Sequence, residues 1–383
     1  MIQANRLANL PPYLFEEIDR KIEATRKRGM DVISFGIGDP DMPTPQHIVE
    51  ACIKAVKDPK NHGYPLSRGK ASFREAVSQK CKTDFGVDVD PEREVTPLIG
   101  SKEGIHNIHL ACINPGDVVL YPNPGYPVYS ISPSFCGGAP YPMPLKKDNH
   151  FLPDLDSIPE KVARKAKLMW INYPNNPTAA TADMSFYEDV MEFANDNDLI
   201  VCSDEAYSAI AFDGYRPPSL LEVDGAMERG IVFNSLSKTY NMTGWRIGYA
   251  VGNEEVVSAL IKLKGNVDSG TCQFIQDAAT AALTSPQDCV SKNVEIYKKR
   301  RDVLVKGLRG LGFNVSPPKA TFYLWMETPK GGSMAFAARL LSAGVVVTPG
   351  IGFGEYGEGY VRFALTQPEE RINEALKRME DLT

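Results

Sequence analysis

Short apolar runs recur along the first two thirds of the chain, and each is followed at once by a polar segment rich in turn residues. Val95 to Ile99 gives way to Gly100-Ser101-Lys102-Glu103-Gly104, with helical spacing from about Ile105 to Ile113 behind it. Asp117 to Tyr121 is followed by Asn123-Pro124-Gly125-Tyr126-Pro127, and Lys167 to Ile171 by Asn172-Tyr173-Pro174-Asn175-Asn176-Pro177-Thr178. Leu199 to Cys202 leads into Ser203-Asp204-Glu205-Ala206-Tyr207, and Ile231 to Phe233 delivers Ser235, Ser237 and Lys238. Apolar runs of this length between turn residues predict buried strands. Strands alternating with helices predict an α/β fold around a parallel sheet. Such sheets bind ligands off the carboxyl ends of their strands, so one crevice can collect all five polar segments.

Other stretches carry the helical period. Gln46 to Lys57 spaces Ile48, Val49, Cys52, Ile53 and Val56 along one side, and Ile18 to Arg28 is a charged helical run. Glu254 to Leu263, Phe274 to Leu283, the long Lys- and Arg-rich run Val290 to Leu311, and Pro368 to Asp381 follow. A second β-rich unit is predicted from Phe322 to Met326, Val345 to Pro349 and Tyr360 to Leu365. The pattern shifts near residue 275, so the expected division is a large domain over 46–275 and a smaller α+β domain from 1–45 and 276–383.

Composition narrows the function classes. With 383 residues, 43% hydrophobic and 23% charged, the chain is ordinary globular material with room for two cores. A net charge of −6 supplies no basic field for nucleic acid, and no apolar run reaches membrane-spanning length. Seven cysteines without a C-x-x-C pair suggest neither a disulfide framework nor a zinc site. With no signal-peptide core at the N-terminus, the expected location is the cytoplasm.

The chemistry concentrates at Ser235 to Tyr249. Lys238 stands at a strand's carboxyl end beside two serines, with Arg246 eight residues on between Gly244 and Gly248. That grouping suits an imine-forming amine next to an anion site. An isolated Ser-x-Ser-Lys would more simply be a solvated surface loop. Gly36-Ile37-Gly38-Asp39-Pro40 follows a predicted strand, but its third glycine is missing and Pro40 and Pro43 forbid the helix a dinucleotide site needs. The helix start at Gly100–Gly104 can hold a phosphate on its N–H groups. Tyr126 could stack on a planar ligand. His106 and His109 share a helix face, yet no third ligand lies nearby, so packing is preferred over a metal and no metal is expected.

Five motifs occur in a fixed order: Y-P-N-N-P-T (173–178), D-E-A-Y (204–207), S-L-S-K (235–238), G-W-R-I-G (244–248) and G-Y-V-R-F (359–363). Together they resemble the fold type I, class I and II aminotransferases that use pyridoxal 5′-phosphate (PLP), and the likeness runs over essentially the whole chain. The resemblance implies a large domain with a mostly parallel seven-stranded sheet between helices. It implies Lys238, Asp204 and Tyr207 as catalytic residues, with Lys238 carrying the cofactor and then shuttling the substrate proton. Asp204 would pair with the ring nitrogen, Asn176 and Tyr207 would hold the phenolic oxygen, and Tyr126 would stack on the ring. Ser101, Lys102, Ser235, Ser237 and Arg246 would take the phosphate, joined by Tyr64 of a partner subunit in a homodimer with shared sites. Arg362 would bind the substrate α-carboxylate.

Within that family, the segments L-A-N-L-P-P-Y-L-F-E-E-I-D-R, F-G-I-G-D-P-D and P-L-I-G-S-K-E-G look most like the LL-diaminopimelate aminotransferases. That likeness implies amino transfer from L-glutamate to tetrahydrodipicolinate in lysine biosynthesis. It places Tyr13, Gly38, Lys102, Tyr126, Asn176 and Arg362 on the substrate side, with Gln273 near the site. Ser67 stands where plant-type members place an acidic residue, which leaves recognition of the distal ammonium unassigned. Ala179 replaces the glycine that many members carry after N-P-T. The alternatives are a broad alanine or aspartate aminotransferase, a PLP-dependent C–S lyase, and a ligand sensor, which would need a DNA-binding domain.

Overall fold

The computed structural model describes residues 2–8, 10 and 14–380. Among them twelve strands build three sheets. In chain order they are β1 (Ile33–Ser34), β2 (Val95–Leu98), β3 (Val118–Asn123), β4 (Ala139–Pro144), β5 (Ala166–Ile171) and β6 (Ile200–Asp204). Then come β7 (Gly230–Ser235), β8 (Gly248–Gly252), β9 (Tyr323–Glu327), β10 (Val345–Val346), β11 (Thr348–Pro349) and β12 (Tyr360–Ala364). The large sheet has the order β2-β8-β7-β6-β5-β3-β4. It is parallel from β7 through β4, whereas β8 runs antiparallel to both β7 and β2. Two reversals restore β2 to the common direction, so all five strands read from the apolar runs point the same way.

The sheet is buried on both faces, and the two-residue period of a strand sorts its side chains accordingly. Met169 and Ile171 on β5, Val201 on β6 and Val232 on β7 face one core, which the helices Ala71–Phe85, Met184–Asn197 and Gln273–Thr284 cover. Leu168, Trp170, Cys202, Ile231 and Phe233 face the other, under Ser101–Cys112, Val128–Phe135 and Glu254–Val267.

Two strands escape the hydrophobic pattern. β4 contains Pro140, Pro142 and Pro144, which read as loop. In the fold Ala139 N donates to Asp117 O, just before β3, and Leu145 N to Asn123 O at its end, both at 2.8 Å, so the three prolines present their missing donors to the open edge, where a strand tolerates them. β8, Gly-Tyr-Ala-Val-Gly, is too short and glycine-bounded to stand out.

Two predicted elements need correction. The helix expected from about Ile105 begins at Ser101, because Gly100 caps it with φ 72° and Glu103 Oε2 accepts the Ile99 N–H at 2.9 Å. Gly104 is therefore not a loop residue: a Cβ there would lie 2.5 Å from Leu98 Cδ1, and its absence lets the helix seat on β2. Val345 to Pro349, expected as one strand, divides between two sheets. Val345 and Val346 pair parallel with β1, while Thr348 and Pro349 pair antiparallel with β12.

A second core lies around β9 and β12, with Phe322, Leu324, Val361 and Phe363 packed against Leu304 and Leu308 of Asp288–Gly310 and Ile372 and Leu376 of Glu369–Glu380. The N-terminal segment joins this unit: Phe35 N donates to Val346 O and Ala364 N to Phe35 O, both at 2.8 Å. From there residues 36–45 cross to the large sheet, where Thr44 Oγ1 donates to Asn241 O at 2.7 Å and accepts from Trp245 Nε1 at 2.9 Å.

Candidate active site

The carboxyl ends of β2, β3, β5, β6 and β7 open onto one cavity of about 310 Å³, closed on its far side by Ile37–Asp39, Tyr323 and Arg362 from the second unit. The sheet directions account for this convergence, since parallel strands deliver their following turns to the same edge. Ser101, Lys102, Tyr126, Asn176, Asp204, Tyr207, Ser235, Ser237, Lys238, Arg246, Gly38 and Arg362 all line it.

One end of the cavity is built of donors. Ser235 ends β7 and caps the short helix Leu236–Thr239, its Oγ accepting Ser237 N at 3.2 Å. Arg246 adopts φ 56° just before β8 and donates from Nη1 to Thr243 O at 2.9 Å. Gly100 lets the guanidinium approach: a Cβ there would sit 2.5 Å from Arg246 Nη2. Beside it begins the helix of Ser101 and Lys102, whose first-turn N–H groups have no carbonyl of their own helix to meet. Lys102 Nζ lies 6.0 Å from the Tyr126 ring centre.

The same cavity also carries a carboxylate. Asp204, only 5% exposed at the end of β6, accepts from Tyr129 Oη at 2.6 Å through Oδ2 and from Ala206 N at 3.3 Å through Oδ1. Burial pushes its pKa up to about 6, against the opposing pull of the Tyr129 and Ala206 bonds and the Lys238 charge. Lys238 Nζ, also lining the cavity, donates to Gly38 O at 2.8 Å. Burial lowers its pKa to about 8, the Arg362 and Arg246 charges push the same way, and Asp39 and Asp204 oppose them. A carboxyl and an amine displaced toward neutrality in one crevice mark proton chemistry.

Over this centre sits a second set of contacts. Arg362 on β12 is 1% exposed, with Nη1 donating to Asn176 Oδ1 at 2.7 Å and Nη2 to Gly36 O at 2.9 Å. Its guanidinium carbon lies 4.2 Å from the Tyr323 ring centre and 4.7 Å from that of Phe353. Because arginine can only donate, the Asn176 oxygen must face it, which turns the Asn176 amide nitrogen elsewhere. Asn172 fixes that asparagine, its Oδ1 accepting Asn176 N at 2.9 Å while its Nδ2 donates to Asp204 O at 2.7 Å. Tyr207 and Tyr323 hydroxyls are 3.0 Å apart. Gly38 admits Tyr323, since a Cβ there would fall 2.0 Å from the phenolic oxygen.

Two expected residues are not in this group, and a third is not described. Tyr64 is 92% exposed and does not line the cavity within one chain. Gln273 spends its amide on Gly63 O at 3.2 Å and Lys60 O at 3.5 Å. Tyr13 lies outside the described residues. The packing reading of the histidines agrees with their contacts. His109 Nδ1 meets Ile105 O at 2.8 Å and Nε2 accepts from Trp170 Nε1 at 3.1 Å. Burial lowers its pKa to about 4, and no metal-ligating cluster occurs among the described residues.

Sequence reasoning passed over Tyr129, Asn172 and Tyr323. Tyr129 follows Tyr126 by three residues at a helix start, a spacing that could have flagged it. Asn172 opens the very motif that carries Asn176. Nothing local singles out Tyr323, which reaches the cavity through the pairing of β9 with β12.

The charge arrangement suits a ligand with an anionic end, a flat ring and a cationic atom opposite Asp204. The family model for class I and II aminotransferases matches residues 30–379. The LL-diaminopimelate aminotransferase of Moorella thermoacetica is 54% identical over 381 residues, covering 99% of this chain and 98% of the relative. Among solved structures, substrate-bound BacF from Bacillus subtilis superposes with a TM-score of 0.96 at 38% identity, covering 100% of this chain and 98% of that one. A Thermus thermophilus aspartate aminotransferase variant does so with a TM-score of 0.94 at 30% identity over 100% of both chains. With the motifs, the fold and the cavity in agreement with these likenesses, the chain belongs to the class I and II aminotransferase family.

Proposed function

We propose that this aminotransferase works with PLP and transfers the amino group of L-glutamate to tetrahydrodipicolinate, giving LL-diaminopimelate and 2-oxoglutarate. The observation that carries the PLP reading is that one cavity joins a donor set, Ser101, Lys102, Ser235, Ser237 and Arg246, to the buried carboxylate of Asp204. That donor set fits a phosphate, and a buried carboxylate with two hydrogen bonds fits a protonated ring nitrogen. The substrate reading rests on relatives named LL-diaminopimelate aminotransferase at 54% and 53% identity over at least 99% of the chain.

When bound, the cofactor delocalises the charge left as the substrate Cα proton departs. Asp204 would hold a negative charge for the ring nitrogen, and the Asn176 amide nitrogen and Tyr207 hydroxyl would be donors for the phenolic oxygen. Tyr126 would stack on the ring. Lys238 Nζ anchors the cofactor and then takes and returns the proton at the substrate Cα, a task its lowered pKa suits by increasing the neutral fraction. Arg362 grips the α-carboxylate with a planar fork that lysine lacks. Gly38 and Lys102 border the substrate side, and Tyr13 is assigned there with them.

The same reading makes each site composite. Tyr64 is 92% exposed, two residues before Leu66 at 71%, and across a two-fold contact it would donate to the partner's phosphate group. We assign 46–275 to the cofactor-binding domain and 1–45 with 276–383 to the smaller one. No helix among the described residues is long and apolar enough to cross a membrane, and seven unpaired cysteines fit a reducing cytoplasm. A panel of amino donors with 2-oxoglutarate tests the assignment. LL-diaminopimelate should exceed aspartate and alanine in kcat/KM by at least about a hundredfold, the ratio expected when a site's polar groups are matched by one substrate only. Equal use of alanine or aspartate would defeat the substrate assignment, and release of pyruvate and sulfide from cystathionine would defeat transamination.

A further inference from the structure

Tyr129 has no place in the roles above, yet it lines the cavity and makes the shortest recorded bond to its carboxylate, 2.6 Å from Oη to Asp204 Oδ2. Its ring is fully buried and clamped. Trp170 lies against one face at 5.0 Å and 20°, and Tyr126 meets it edge-on at 5.9 Å and 86°. Trp170 is itself fixed, because its indole N–H donates to His109 Nε2 at 3.1 Å and His109 Nδ1 lies 2.8 Å from Ile105 O. An indole can only donate and a carbonyl can only accept, so His109 is neutral with its proton on Nδ1. A column of three fully buried rings thus runs from the Ser101–Cys112 helix, whose first turn lines the cavity, to the Asp204 carboxylate.

A phenol so confined has one direction for its hydroxyl. We propose that Tyr129 is a positioning residue: its hydroxyl, aimed by the stack on Trp170, keeps Asp204 ionised and oriented, and so sets how firmly the site holds a cationic ring nitrogen. This rests on the reading of Asp204 as that nitrogen's partner. A hydrogen bond to an ionised group is roughly twice as strong as one between neutral groups, and it favours the ionised form it binds. The other titratable groups facing Asp204 are the Tyr207 and Tyr323 phenols and the Lys238 amine. All three phenols, Tyr129 included, are pushed up by burial and stay neutral between about pH 5 and pH 8.

Tyr129→Phe removes the hydroxyl and keeps the stacked ring. The test compares wild type, Tyr129→Phe, Asp204→Asn and the double variant, first as PLP dissociation constants at pH 8 and pH 6. If losing the bond raises the carboxyl's proton affinity about tenfold, the weakening caused by Tyr129→Phe should be about fivefold larger at pH 6, where the variant's carboxyl is mostly protonated. The second reading is the denaturant midpoint of the cofactor-free chain. The folded pKa of Asp204 lies above its unfolded value, so its contribution to stability is present at acid pH and is lost as pH rises toward about 6. Tyr129→Phe should extend that loss to higher pH, lowering the midpoint more at pH 7.5 than at pH 5. Neither pH dependence should survive in the Asp204→Asn background. A penalty equal at both pH values, or one that persists without Asp204, overturns the proposal. Failure of the wild-type chain to take up PLP at all overturns the cofactor reading instead, and the midpoints of the cofactor-free chain then decide the Tyr129–Asp204 coupling alone.

Discussion

Burial acts in opposite senses on the two ionisable groups at the centre of the cavity, bringing Asp204 up to about 6 and Lys238 down to about 8. At neutral pH the carboxyl is mainly ionised and the amine mainly protonated, with a neutral fraction far above that of an ordinary lysine. Since the neutral amine is the nucleophile, the rate at which cofactor-free protein captures PLP should climb about tenfold per pH unit and level off near pH 8. Stopped-flow absorbance measures this, and a rise continuing past pH 10 would show Lys238 to be unperturbed. Borohydride reduction and peptide mapping should then find the label on Lys238. Arg362 presents a different balance, a buried guanidinium that donates to Asn176 and Gly36 and lies over two aromatic faces. Arg362→Lys keeps the charge but not the fork. KM for the amino donor should rise about ten- to a hundredfold, and urea unfolding should show a loss of about 2–4 kcal/mol as buried acceptors lose their donors. Unchanged KM would remove Arg362 from carboxylate binding.

At the scale of elements, the helix Ser101–Cys112 serves both the donors and the carboxylate of the cavity. Its first turn borders the donors, and its His109 steadies Trp170. Gly100 is the hinge between this helix and β2, with φ 72° and Arg246 pressed against the place a side chain would occupy. Gly100 combines φ 72° with ψ 153°, a backbone region essentially reserved for glycine, so Gly100→Ala should cost about 1–3 kcal/mol and displace the guanidinium as well. PLP affinity, measured by equilibrium dialysis, should fall about tenfold or more, while kcat at saturating cofactor changes little. Wild-type affinity in this variant would mean that Arg246 does not serve the phosphate. The prolines of β4, at the opposite edge of the sheet, illustrate the complementary case, in which an unfavourable local sequence is harmless because the sheet leaves that edge open.

At the scale of the molecule, the cavity draws on both units and, in our reading, on a second subunit. Lys238→Ala and Tyr64→Ala should each be nearly inactive, and mixing them under exchange conditions should restore activity. Each heterodimer then holds one site with both residues intact and one with neither, so recovery should approach about half of a wild-type dimer's activity per heterodimer. No recovery despite proven exchange would return Tyr64 to an ordinary exposed turn.

Strand–turn motifs made much of this protein legible in its sequence. Apolar runs must be buried, parallel strands must deliver their turns to one edge, and so Asn176, Asp204, Tyr207, Ser235 and Lys238 could be placed at a common site from spacing alone. The motifs also carried the family. What the chain does not encode locally is distance across the fold. The split of Val345 to Pro349 between two sheets, the outward prolines of β4, and the meeting of Tyr323 with Gly38 depend on which strands pair. The pKa values of Asp204 and Lys238 are likewise tertiary, because desolvation is a property of what surrounds a group and not of its neighbours in sequence. The Tyr129 bond belongs to the same class: seventy-five residues separate its ends, and only the stacking of three rings between a helix and a strand end brings the hydroxyl to the carboxylate.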